Sequence, residues 1–182
     1  LCRDYKSVEA EAKGPIVVIV DESGSMMGDH IEQAKALALA LAWIARHQRR
    51  WCCLIGYSGG DPCNILTLPP GKWDQGAIME WLVHFYGGGS CRDVPIVELP
   101  EEWPKIGAPK GKTDIISITD AILRLSDDEV EAFNAWKRTE RVKFYAMVLE
   151  SRPGDLARVS DRVLLMNNLD AESDGVEDVL SI

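Results

Sequence analysis

Asp21, Ser23 and Ser25 stand at alternating positions immediately after five consecutive β-branched residues, Ile16 to Val20. One anionic oxygen and two hydroxyl oxygens on the same side of an extended turn form a donor set for a hard divalent cation. Magnesium prefers near-octahedral oxygen coordination and keeps several waters. Neutral hydroxyl ligands leave such an ion with positive charge to spare, so it seeks an anionic oxygen elsewhere, from the chain or from a partner. The bland alternative is that these side chains cap the helix that follows, a position where Asp and Ser are favoured. Two features of the chain weigh against it: the apolar strand before the motif, and a second apolar run that ends in a carboxylate, Asp120.

The elements that must carry these residues are legible. The run after Gly14-Pro15 reads as a strand buried on both faces, the kind found in parallel sheets covered by helices. Gly24 and Gly28 allow a tight turn, and a helical pattern starts near Ile31. In open α/β sheets, ligand sites lie just beyond the carboxyl ends of strands. The D-x-S-x-S loop occupies that place.

Residues 14–28 resemble the first motif of a von Willebrand factor A domain, whose metal-ion-dependent adhesion site begins D-x-S-x-S. The wording Gly-Pro-Ile-Val-Val…Asp-x-Ser-Gly-Ser-Met most resembles the bacterial branch called CoxE-like or ViaA-like. The likeness covers nearly the whole chain in element order and is loosest after residue 90. It implies an α/β fold of Rossmann-like type: a doubly wound, mostly parallel central sheet flanked by helices, with one short antiparallel edge strand. It also implies further ligands. In the family a Gly-Gly-Thr-Asp loop presents a threonine hydroxyl to the metal; here Gly87-Gly88-Gly89-Ser90 puts Ser90 in that position, and Cys91 replaces the aspartate that often follows. An apolar strand ending in Thr-Asp supplies the last family motif, which assigns Asp120 to the metal or its waters. The expected metal site is therefore Asp21, Ser23, Ser25, Ser90 and Asp120, holding Mg2+ or else Mn2+ or Ca2+. The family further implies a protein partner that supplies an acidic residue to the metal, and commonly a MoxR-type AAA+ ATPase for which the module is an adaptor.

Bulk properties set limits. The 182 residues favour one domain, expected over 14–182 with 1–13 as a lead-in. The chain begins with Leu1, so a piece of a longer protein is expected. A net charge of −9 opposes non-specific binding to nucleic acid or anionic membranes. No apolar run is long enough to span a bilayer and no signal peptide is recognisable. Five cysteines, at 2, 52, 53, 63 and 91, form neither a paired C-x-x-C nor an even disulfide set. Reduced, mostly buried thiols in a cytoplasmic protein are expected.

Along the chain, a long helix is expected from Asp29 to Gln48, with Asp29 and Glu32 in capping-box spacing. Strands are expected at Trp51 to Tyr57 and Cys63 to Leu68, the second as an antiparallel edge. Asp74 should cap a helix running to the Gly87–Gly89 stop. Residues 94–112 carry four prolines, which predicts a short helix with an irregular loop. Thr113 to Asp120 reads as a buried strand, Ser126 to Glu129 as a capping box opening a helix to about Arg141, and Lys143 to Leu149 and Arg162 to Met166 as the last strands. A short helix near Asp155–Val159 joins those two, and the acidic tail from Asp170 to Asp178 is either a terminal helix or a frayed end.

Catalytic readings fare poorly. Gly107-Ala108-Pro109-Lys110-Gly111-Lys112-Thr113 is one residue short of a phosphate loop and precedes a strand instead of following one. G-x-S-x-G would need glycine where Asp21 stands, and His30, His47 and His84 all precede the plausible acid. A magnesium-dependent phosphotransferase or phosphatase built on Asp21 and Asp120 is the strongest enzymatic rival. Enzymes of that kind resemble D-x-D-x-T and use the second aspartate as a general acid, which Ser23 cannot replace. The expectation is a non-catalytic binding module.

Overall fold

The structure, a computed structural model, describes residues 13–59, 63–71, 73–89, 94–120, 123–149 and 152–166. Its centre is β1 (Ile16–Asp21), in which every residue is buried. Alternation along this strand divides the core in two. Ile16, Val18 and Val20 pack toward α1 (Asp29–His47) and α2 (Gln75–Val83), against Ala34, Ala38, Leu41 and Trp81. Val17 and Ile19 face the other way, toward α3 (Leu99–Ile106), α4 (Asp127–Glu140) and α5 (Leu156–Val159), where Phe133 and Leu156 lie. Burying both faces explains the unbroken run of β-branched residues: a strand with a wet face would alternate with polar residues. Each fully buried Val or Ile contributes about 1.5–3 kcal/mol.

Around β1 the sheet adds β2 (Cys52–Tyr57), β3 (Asn64–Leu68), β4 (Thr113–Thr119), β5 (Val142–Leu149) and β6 (Arg162–Met166) in the order β3-β2-β1-β4-β5-β6. All pairs are parallel except β2 with the edge strand β3. The fold is thus the expected doubly wound sheet with one antiparallel edge. The chain leaves β1 for β2 on one side and reaches β4 on the other, so the strand order reverses at β1, where such folds form their ligand crevice. The β1–β4 register sets Val20 beside Ile118, which brings Asp21 next to Thr119. At the opposite end, buried Arg50 pairs with Asp114 and donates to the carbonyl of Pro15 at 3.2 Å, tying together the starts of β1 and β4.

Several local expectations need correction. The Asp29–Glu32 capping box does not form. Gly28 is the N-cap of α1 at φ 90°, with no side-chain cap hydrogen bond, so Asp29 already lies inside the first turn. There its charge favours the helix dipole without capping the helix. α2 is capped by Asp74 as expected, through Gly76 N–H at 2.8 Å and Ala77 N–H at 3.2 Å, but it ends at Val83. Phe85 still packs on the core from outside the helix. The proline-rich stretch forms the expected short helix and irregular loop, with one addition: a π-helical turn over Val94–Glu98 runs directly into α3. Pro100 sits in the first turn of α3, where its missing N–H costs nothing, and Gly107 ends the helix at φ 72°. At α4 the capping box forms in full: Ser126 accepts from Glu129 N–H while the Glu129 carboxylate takes the Ser126 N–H at 2.7 Å. The lead-in expected at residues 1–13 and the acidic tail lie almost wholly outside the described residues. Among the described residues no helix is long and apolar enough to cross a membrane.

Candidate metal centre

Four of the five expected ligands meet at the carboxyl ends of β1 and β4. Asp21 ends β1 with 1% of its surface exposed. Its Oδ1 accepts the Ser23 backbone N–H at 2.9 Å, and its Oδ2 accepts the Thr119 hydroxyl at 2.7 Å. The two motif hydroxyls touch, Ser23 Oγ lying 3.1 Å from Ser25 Oγ. Ser25 in turn donates to Asp120 Oδ1 at 3.0 Å. Two carboxylates and two hydroxyls thus converge on one point, Asp120 joining the motif loop from 95 or more positions away, and the cluster grades from the buried Asp21 to the exposed Ser25. His30 lies at its rim, with Nδ1 3.8 Å from Asp120 Oδ2.

Ser90 lies outside the described residues. The segment just before it is placed, however, and lies along the motif loop. Gly24 N–H donates to the Gly88 carbonyl at 2.8 Å, Gly87 N–H to the Glu22 carbonyl at 3.1 Å, and Gly59 N–H to the Gly89 carbonyl at 2.9 Å. This strand-like bridge, pairing Ser23 with Gly88, brings the glycine loop to the centre.

The donors suit a hard cation. All are oxygens, the ligand type such ions prefer. Burial pushes the Asp21 carboxyl above its ordinary value; hydrogen bonds from Thr119 and Ser23 oppose this, and the charge of Asp120 adds to it. A divalent ion held by Asp21, Ser23, Ser25 and Asp120 would offset that desolvation cost and the repulsion between the carboxylates.

Two contributions escaped the sequence reading. Thr119 orients Asp21, and its signal was its place directly before Asp120. The second is a buried ion cluster beneath the loop. Glu22, fully buried, pairs with Lys35 of α1 and, through its other oxygen, with His84 Nδ1 at 2.9 Å. Lys35 also donates to the Trp81 carbonyl at 2.9 Å and lies 3.5 Å from the centroid of the Trp81 ring. Burial lowers the Lys35 pKa, and the Glu22 carboxylate opposes that shift. Gly56 makes room for the cluster, since a Cβ there would overlap the Glu22 carboxylate. A lysine amid the apolar stripe of α1 was the available clue.

No protein-family model matches the chain. Two proteins of Methanocaldococcus jannaschii are similar in sequence: uncharacterized protein MJ0811, 28% identical across 93% of this chain, and uncharacterized protein MJ0077, 30% identical across 87%. The chain spans 38% and 39% of their respective lengths. Among solved structures, the SpRpn10 VWA domain superposes with a TM-score of 0.67 at 9% identity, covering 92% of this chain and 93% of that one. A von Willebrand factor type A protein from Catenulispora acidiphila gives 0.66 at 14% identity, over 93% of this chain and 42% of that one. Proximal thread matrix protein 1 of the mussel byssus, solved with zinc in its MIDAS motif, gives 0.59 at 14% identity, over 95% and 46%. Strand order, the parallel β1–β4 pair and these superpositions together give the chain the fold of the von Willebrand factor A domains.

Proposed function

We propose that this domain is a non-catalytic, divalent-metal-dependent protein-interaction module, spanning residues 14–182 and working in the cytoplasm. The observation that carries the reading is the convergence of Asp21, Ser23, Ser25 and Asp120 where the strand order reverses. Magnesium, or manganese or calcium in its place, would be held by these oxygens with Ser90 as a further ligand. Bound there, the ion supplies a Lewis-acidic position to which a partner's Glu or Asp can add. The chain's own residues do the rest. Thr119 and the Ser23 N–H fix Asp21, the glycine loop closes one side, and exposed Ser25 leaves the mouth open to a partner.

The same motif disfavours the phosphotransferase alternative. An aspartyl nucleophile of that kind works with a second aspartate two residues on as general acid, and Ser23 stands there. Cysteine chemistry is also absent from this reading: Cys52 and Cys53 are buried and free, and burial pushes the Cys52 thiol up to about 12.

The resemblance to the CoxE-like and ViaA-like branch supports a MoxR-type AAA+ ATPase as the partner, with this domain as its adaptor. The test is a pull-down of purified MoxR-type ATPase with the domain. Capture in magnesium, lost with chelator and with Asp21→Ala, is expected. Capture that ignores both metal and substitution would contradict the metal-dependent reading.

A further inference from the structure

Six of the chain's 20 lysines and arginines gather at the end of the sheet opposite the metal centre. Lys110, Lys112, Lys137, Arg138, Arg141 and Lys143 line two adjoining hollows of about 350 and 430 Å³, which share Arg141. Two carboxylates, Glu140 and Asp161, accompany them. Asp161 is already matched: its Oδ2 accepts from Lys137 at 3.0 Å and from the Phe144 N–H at 2.7 Å. Arg138, Arg141 and Lys143 are exposed and form no ion pair among the described residues. On a chain of net charge −9, so much positive charge in one place is a distinct electrostatic feature.

Arg141 adds an independent sign. It closes α4 in the left-handed conformation, at φ 56°. Helices that end this way normally place glycine there, because a Cβ makes the conformation costly. An arginine at that position accepts backbone strain, and Arg141 lines both hollows. Arg49, just after α1, has the same conformation at φ 55° but lines neither hollow, so the sign is Arg141's place in the lining and not the strain alone.

We propose that these hollows form a second docking site, for a short acidic segment of a partner protein. Charge complementarity selects the occupant. A nucleic acid fits less well: the aromatic side chain in the lining, Trp103, already packs edge to face on Trp136 at 5.4 Å, and a long polyanion would run onto an acidic surface. The site begins at Thr113 and Val142, the amino ends of β4 and β5. With seven residues in β4, it lies about 20 Å from Asp120. Both ends of the sheet can therefore be occupied at once, and the domain can bridge two proteins or two parts of one.

The test is fluorescence anisotropy of a labelled hexaglutamate peptide with the whole chain, in chelator and at low salt. The chelator silences the metal centre, so failure of the metal reading would leave this result untouched. Binding that weakens with added salt is expected, falling by about tenfold or more in R138E/K143E. Arg141→Gly should also weaken binding several-fold without lowering the melting temperature, because glycine suits the left-handed position. A variant that merely unfolded the site would lower both. No binding by the parent chain, equal binding by R138E/K143E, or preference for a single-stranded oligonucleotide over hexaglutamate would each overturn the proposal.

Discussion

At the scale of single residues, Asp21 combines two roles that pull against each other. It anchors the motif loop through the Ser23 N–H and the Thr119 hydroxyl, and it bears a charge that burial disfavours. A carboxyl whose folded pKa is raised binds protons more tightly in the native state than in the unfolded one. Metal-free stability from this group therefore declines as pH rises from the ordinary value of 3.8 through the raised one. Asp21→Asn imitates the protonated form. In chelator, the stability of the parent relative to Asp21→Asn should fall with rising pH across that window, and a flat difference would contradict the reading. Metal affinity should move the other way, weakening as pH falls toward the same window, because the ion and the proton compete for one carboxylate.

Lys35 is the second residue with a sharp expectation. Its removal leaves Glu22 buried without its main counter-charge. Breaking a buried pair from one side costs about 3–5 kcal/mol. Denaturant melts of Lys35→Met should show a loss near that size, largely recovered in the double variant Glu22→Leu/Lys35→Met. A loss below about 1 kcal/mol, the scale of a surface ion pair, would mean that the pair is not the buried anchor described here.

Among the elements, β1 was the most legible in the sequence. Five β-branched residues in a row leave few alternatives, and the strand-end carboxylate and the motif hydroxyls followed from it, while Asp120 came from the resemblance to the family's last motif. What stayed hidden depended on contacts across the fold. Glu22 read as a variable position in D-x-S-x-S, yet it is fully buried and held by Lys35 of α1 and by His84, the residue just after α2. The Asp29 capping box failed because Gly28, free to take φ 90°, was a better start for α1 than a spacing rule could show. The prolines of 94–112 predicted a short helix and an irregular loop, but not the π-helical turn that precedes the helix. Gly56 carries the test at this scale. Because β2 approaches the Glu22 carboxylate there, Gly56→Ala should cost about 1–3 kcal/mol from overpacking. Unchanged stability would show that the loop shifts freely and that the cluster does not fix it.

For the molecule as a whole, the two ends of the sheet differ in character. The carboxyl ends of β1 and β4 gather carboxylate and hydroxyl oxygens, while the amino ends of β4 and β5 gather basic side chains in a protein of net charge −9. Between them lies the double-faced core, which holds both ends in fixed relation. The proposed adaptor role would use that polarity, one charged end for each partner.

The central claim is that Asp21, Ser23, Ser25 and Asp120 together hold a divalent ion. Isothermal titration of magnesium and manganese into this chain and into Asp21→Ala tests it most directly. One-to-one binding by the parent, with none by the variant, is the predicted result. Binding of equal strength by both chains would place the ion elsewhere and contradict the account.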